Sequence, residues 1–149
     1  MNNSRFIKGF ILSFVLFVLL DAGWHGGVMA DFYNQRLALM NPDLPGAPGF
    51  SGWILFLEAI NAFALTYFVL KVPTSKQPLN DGAWIGGLLG FVVTGSVNFL
   101  NHTLIPDWDV TLAIVDTAWG TALGLFAGIA VAAFCNEEKK GWFGWLKRW

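Results

Sequence analysis

Four apolar runs dominate this chain. Each is long, or nearly long, enough to cross a bilayer core of ~30 Å, which takes about 20 helical residues. They extend roughly from Phe6 to Met29, Trp53 to Leu70, Ala83 to His102 and Val110 to Phe134. Inside lipid every backbone N–H and C=O must be satisfied within the protein, so each run is expected to be a helix. Composition points the same way. Of the 149 residues, 55% are hydrophobic and 13% are charged, whereas a soluble domain carries about a quarter charged residues. The chain has room for one compact domain, read here as a transmembrane domain over residues 1–149. The net charge of −1 gives no reason to expect a nucleic-acid partner, and the single Cys135 cannot form an internal disulfide.

The first run resembles a signal peptide at its start, because Arg5 and Lys8 precede apolar residues. It continues past Asp21 toward Met29, longer than the apolar core of a cleaved leader. A retained helix is therefore expected.

The basic residues set an orientation. Arg5, Lys8, Lys71, Lys76, Lys139, Lys140, Lys147 and Arg148 fall on one side of four spans, and Arg36 alone falls on the other. Cytoplasmic loops carry the excess of Lys and Arg. Both termini and the second loop are thus expected in the cytoplasm, with the bacterial inner membrane as the expected location. A missed or extra span would scramble this split.

The connections read accordingly. The outer loop from about Ala30 to Gly52 contains the Pro- and Gly-rich stretch Asn41 to Gly49, which must be irregular. Before it, Asp31 to Leu37 is expected to prolong the first helix toward the headgroups. Pro73 to Pro78 is a short inner loop, and Ile105 to Asp109 a tight outer turn. The aromatic and cationic tail over 139–149 is expected to lie at the interface as an anchor. Trp53 and Trp108 belong to the outer aromatic belt, and Trp84, Trp142 and Trp145 to the inner one. Gly120, Gly124 and Gly128 recur every four residues, as do Gly86 with Gly90 and Gly23 with Gly27. Such spacing lets helix backbones approach closely in lipid. Packing within the chain is expected, with homo-oligomerisation through one seam as the alternative.

Polar residues inside the spans carry the functional signal. Asp21, Glu58 and Asp116 each lie about six or seven residues from the outer end of a span, roughly 9–10 Å deep at ~1.5 Å per residue. Asn98 falls at a similar depth, and His25, Asn61, Asn101 and His102 lie within one turn of it. Residues three or four apart share a helix face. This groups Asp21 with His25, Glu58 with Asn61, and Asn98 with Asn101 and His102. Intramembrane ionisable groups are costly and normally face a protein interior or a watery cavity. A pocket opening outward is expected, with Trp24 and Trp119 packed beside it and Asp21 as the carboxylate neighbour of Asp116.

The same residues carry a resemblance. Leu20–Asp21–Ala22–Gly23–Trp24, then Asp31–Phe32–Tyr33 and Leu37, are similar to the start of domain-of-unknown-function family 2177, a family of small bacterial membrane proteins. Asn98, Asn101, Trp108 and Val115–Asp116–Thr117–Ala118–Trp119–Gly120 resemble its second block. The resemblance covers about Phe10 to Ala133 and implies a membrane architecture without implying an activity. It points to Asp21, Trp24, Asp116 and Trp119. The family pattern has Asp where this chain has Asn98, and neither His25 nor His102 falls on a motif position.

The fold expected is an all-α, four-helix membrane bundle. Its outer-half pocket would bind or transport a small polar group, a lipid headgroup or protons. One alternative is an accessory or structural subunit of a larger membrane complex, in which the polar residues only fix helix register. Another is a membrane-embedded enzyme using two carboxylates on lipid, although no nucleophile elbow, phosphate loop or HExxH motif is present. No cofactor is expected. A metal or a bis-histidine haem at His25 and His102 is the chemical exception, and its spacing matches no metal motif. Membrane lipids are the expected partners, with a homo-oligomer or a larger complex beyond them.

The orientation is directly testable. In a Cys135→Ala background, single cysteines placed at Asp43 or Asp107 should react with an impermeant thiol reagent added outside intact cells. Cysteines at Lys76 or Lys140 should react only after permeabilisation. Labelling of Lys76→Cys from outside would break the four-span orientation.

Overall fold

The computed structural model describes residues 3–40, 52–72 and 77–135. Every regular element among them is helical: α1 (Asn3–Gly23), a π-helical turn (Trp24–Val28), α2 (Ala30–Met40), α3 (Gly52–Lys71), α4 (Pro78–Leu104) and α5 (Val110–Cys135). Four helical segments are long and apolar enough to cross a membrane: Asn3–Val28, Gly52–Lys71, Pro78–Leu104 and Val110–Cys135. The chain is an all-α bundle of four apolar helices. Residues 41–51, 73–76 and 136–149 lie outside the described residues, and with them the Pro-rich loop after the first span, most of the loop after the second and the aromatic tail.

The helix limits differ from the sequence reading at two places, each for a local reason. α4 begins at Pro78, five residues before the predicted start. Proline is suited to the first helical turn, where its missing N–H is no loss, and Asp81 in that turn complements the positive helix end. The prolongation of the first helix is interrupted rather than continuous. At Met29 the backbone leaves helical geometry (φ −115°, ψ 14°), and α2 resumes from Ala30. The turn between α4 and α5 is tight, with Asp107 in the left-handed region at φ 62°, a conformation that Asp tolerates better than most residues. Asp109 then caps α5 by accepting the Leu112 N–H at 2.8 Å, satisfying a donor that the helix end leaves orphaned.

α5 is the central helix and touches α1, α3 and α4. Its tightest partner is α4, and the reason is a glycine seam. A Cβ on Gly82, Gly86 or Gly90 would lie under 3.0 Å from the backbone of Gly128, Gly124 or Gly120. On the other strand of the seam, a Cβ on Gly120 would run into the Thr94 side chain. In lipid, apolar side chains gain little by leaving the solvent, so such close approach supplies the van der Waals contact that holds helices together. The glycines at the end of α1 and in the π turn behave differently. Gly23, Gly26 and Gly27 have open space where a Cβ would stand, so among the described residues nothing packs into the Gly23–Gly27 seam.

At the end of the bundle carrying Arg5, Lys8 and Lys71, α1, α3 and α5 enclose an apolar core that includes Phe17, Leu65, Val69, Leu123 and Val131. Ser13 supplies polar contacts across it, to Thr66 and to the Ala62 carbonyl. Ser13 Oγ lies 3.0 Å from Thr66 Oγ1, and donates to the Gly9 carbonyl at 2.9 Å. Arg5 Nε donates to the Cys135 carbonyl, placing a cation at the negative end of α5. Trp53 and Trp84, near opposite ends of the bundle, are 77% and 79% exposed, as lipid-facing aromatics at two interfaces would be. Trp24 and Trp119 instead pack against each other inside.

The seam makes unequal demands on its glycines. Gly124→Leu should destabilise the protein by about 1–3 kcal/mol through overpacking, read as a lower midpoint in denaturation by sodium dodecyl sulfate. Gly23→Ala, at a helical position with open space, should be neutral or stabilising by about 0.5–1 kcal/mol. Equal effects at the two positions would contradict the seam.

Candidate functional site

The site sits at the opposite end of the bundle and is organised by Asp116 on α5. Three other segments donate to this one carboxylate. Asn98 Nδ2 of α4 donates to Oδ2 at 2.6 Å. Tyr33 of α2 donates through its hydroxyl to Oδ1 at 2.9 Å. His25 of the π turn meets Oδ1 with Nε2 at 3.1 Å. Asn98 is held in place by a second bond to the Thr94 carbonyl at 3.0 Å.

His25 is the hinge between two acids. Its Nδ1 lies 3.1 Å from the Asp21 carbonyl and 3.2 Å from Asp21 Oδ1, and its Nε2 lies on Asp116. Both ring nitrogens therefore face acceptors, a pattern that only the doubly protonated ring satisfies in full. Asp21, expected as the carboxylate neighbour of Asp116, is linked to it through the imidazole. Asp21 Oδ1 also accepts from Trp119 Nε1 at 2.9 Å. Trp119 stacks on Trp24, with centroids 4.3 Å apart and planes 3° from parallel. Trp24 Nε1 closes the circuit on the Tyr33 hydroxyl at 3.2 Å.

Local structure explains how these residues meet. A π turn carries one more residue per hydrogen-bonded ring than an α turn, and such turns concentrate at functional positions. Here it carries Trp24 and His25 into the bundle, and the Met29 N–H closes it on the Trp24 carbonyl at 2.8 Å. α2 then returns Tyr33, only 6% exposed, to the site. α2 is fastened by Arg36, which pairs with Asp109 and lies 5.4 Å over the Phe32 ring. Burial, and then the facing Asp116 charge, push the Tyr33 phenol above its ordinary value. It stays a hydrogen-bond donor across the physiological range.

Below these residues a cavity of ≈ 230 Å³ opens between α1, α3, α4 and α5. Asp21, His25, Glu58, Asn61, Asp116 and Trp119 line its polar end. Glu58 is hydrogen-bonded to Asn61 on its own helix. Asn98 holds Asp116 from behind the wall, and Trp24 does the same for Trp119. Two candidates from the sequence are not brought to the cavity. His102 is exposed and meets the Trp108 carbonyl with Nδ1 at 2.7 Å, and Asn101 is not on the cavity wall. They lie one turn nearer the α4–α5 connection, so sharing a face with Asn98 did not give them its neighbours. Among the described residues no group of three or more His, Cys, Asp or Glu side chains forms a metal-binding cluster. Sequence reasoning assigned no site role to Tyr33. Its signal was a lone tyrosine with a polar tip in the segment just beyond an intramembrane Asp.

The profile of a family described as predicted membrane protein (DUF2177) matches residues 6–133. The chain belongs to this family. It is thus a multi-pass membrane protein, and the match spans all the residues that build the cavity. No curated protein and no solved structure matches the chain.

The α2 clasp gives a pH prediction. The Leu112 N–H bond, followed by Arg36, holds the Asp109 carboxyl below its ordinary value. A depressed carboxylate contributes stability that is fully present above the unfolded value of about 3.9 and is lost as pH falls through the folded one. Protease protection of α2 should therefore be flat near neutrality and fall as pH drops below about 4. In Asp109→Asn this acid-dependent step should shrink, with lower protection at neutral pH. An unchanged acid profile in that variant would remove Asp109 from the clasp.

Proposed function

We propose that the polar end of the cavity binds or transports a small polar group or protons, in a protein oriented with both termini in the cytoplasm of a bacterial inner membrane. The observation that carries this reading is His25, held between carboxylates of two different helices on the wall of an open cavity. A network serving only to fix helix register needs neither the cavity nor a third carboxylate. Glu58 nevertheless stands on the cavity wall, with Asn61 of its own helix as its hydrogen-bonding neighbour. An imidazole between two acids can take up and release a proton without leaving its partners, which is how intramembrane carboxylate and histidine chains carry protons.

A second reading is an accessory subunit of a larger membrane complex. The three in-chain donors of Asp116 favour it, because a carboxylate so fully engaged can act as a structural anchor. Proton flux separates the two. Purified protein is reconstituted into liposomes containing a trapped pH dye, and the outside is acidified. The wild type should acidify the interior faster than empty liposomes, and Asp116→Asn should remove the excess while retaining wild-type helicity and elution. Equal rates for the wild type and Asp116→Asn would leave the accessory reading in place.

A further inference from the structure

We infer that the ligand of this cavity is a lipophilic amine, its ammonium group at the Glu58 end and its apolar body along the α4–α5 wall. The inference rests on the polar-site reading above and adds the class of molecule. The cavity has two chemically distinct ends. At one end the ionisable side chains on the wall are Asp21, Glu58, Asp116 and His25, with no Lys or Arg among the lining residues. The other end is apolar, formed by Phe17, Leu65, Leu89, Val93 and Leu123, with Gly86, Gly90, Gly120 and Gly124 between them.

The polar end has a surplus of acceptors. Each carboxylate offers about four lone-pair positions. Asp116 receives three donors and is the best supplied. Glu58, hydrogen-bonded within its own helix to Asn61, faces the cavity. A guest is therefore recognised by what it donates. An ammonium brings three N–H donors and a positive charge, whereas a phosphate or carboxylate headgroup would meet three carboxylates, with the one imidazole on the wall, His25, already engaged by Asp21 and Asp116.

The apolar end sets the remainder of the molecule. A wholly hydrophilic cation would leave these walls bare. An alkyl or aryl body fills them, and the glycines let that body approach the backbone of α4 and α5. Size agrees: ≈ 230 Å³ is below the ~300–1,000 Å³ typical of drug-sized ligands and suits a short-chain amine. Access is lateral. α3 and α4 both line the cavity, yet they touch each other far less than α4 and α5 do. Val93 on that wall is 40% exposed, so the apolar end is open on the side where α3 and α4 are loosely apposed. A molecule dissolved in the bilayer could enter without crossing the polar cluster.

Calorimetric titration of the full chain in lipid nanodiscs, with empty discs subtracted, tests this with three probes: octylamine, methylamine and octanoate. Octylamine should bind at least about tenfold more tightly than methylamine, and octanoate should not bind. Glu58→Gln should weaken octylamine about tenfold while keeping wild-type elution and helicity. Should that variant fail to fold, Glu58→Asp replaces it with the same expectation in direction. Val93→Phe, which narrows the apolar end, should weaken octylamine and leave methylamine unchanged. If methylamine binds as well as octylamine, the apolar half of the inference falls and a free cation site remains. If neither amine binds while Asp116-dependent proton flux persists, the inference fails and the polar-site reading survives. If both amine binding and proton flux are absent, the two fall together.

Discussion

A carboxylate held inside an apolar bundle must find its donors within the protein, and Asp116 finds them in three segments at once. The imidazole of His25, the phenol of Tyr33 and the amide of Asn98 converge on it from the π turn, α2 and α4. Each of these donors is itself held by a further contact. His25 reaches Asp21, Tyr33 receives the Trp24 indole N–H, and Asn98 bonds to Thr94. The arrangement at this end of the bundle follows from satisfying a single acid. In a low-dielectric surrounding, an unpaired member of such a network is costly, whereas a complete set of partners rigidifies it.

The two ends of the bundle are stabilised by different means. Near Arg5 and Lys71 the helices meet through Phe17, Leu65, Val69 and their neighbours, with Ser13 linking α1 to Thr66 and the Ala62 carbonyl of α3. Along α4 and α5 the contact is backbone on backbone, because Gly82, Gly86 and Gly90 oppose Gly128, Gly124 and Gly120. α1 and α3 have no comparable seam with α4. The cavity lies where the tight hairpin of α4 and α5 faces the more loosely apposed α3. Close packing on one side of the molecule and space on the other are thus parts of one design.

Much of this was legible in the residues. The four helices follow from the length and hydropathy of their runs, since a run of that length satisfies its backbone within itself only as a helix. The shared level of Asp21, Glu58, Asn98 and Asp116 along the bundle follows from helical rise, and their faces from three- and four-residue spacing. Gly82 lies outside a span read from Ala83, which starts five residues after the true helix start at Pro78. His102 shares a face with Asn98, but one turn of rise takes it to the Trp108 carbonyl. Gly23 and Gly27 have the right spacing, yet no described residue packs against them. Periodicity identifies a face and is silent on what opposes it. The imidazole between Asp21 and Asp116 depends on a π turn, and no propensity pattern in Trp24 to Val28 announces one.

That turn has a consequence for phase. His25 and Tyr33 are eight positions apart, which in an unbroken α-helix leaves them roughly 80° out of line. The π turn absorbs about one residue, so the angular separation becomes that of seven positions, close to two full turns. Tyr33 thereby shares His25's side of the chain, and the rings come to 4.4 Å. The alignment of α2 with the rest of the site is thus encoded in the number of residues between Trp24 and Met29 as much as in their identities. Many side chains in that stretch can change without turning α2. Gaining or losing a single residue there would rotate it by roughly 100° and carry Tyr33 away from Asp116 with every other residue intact.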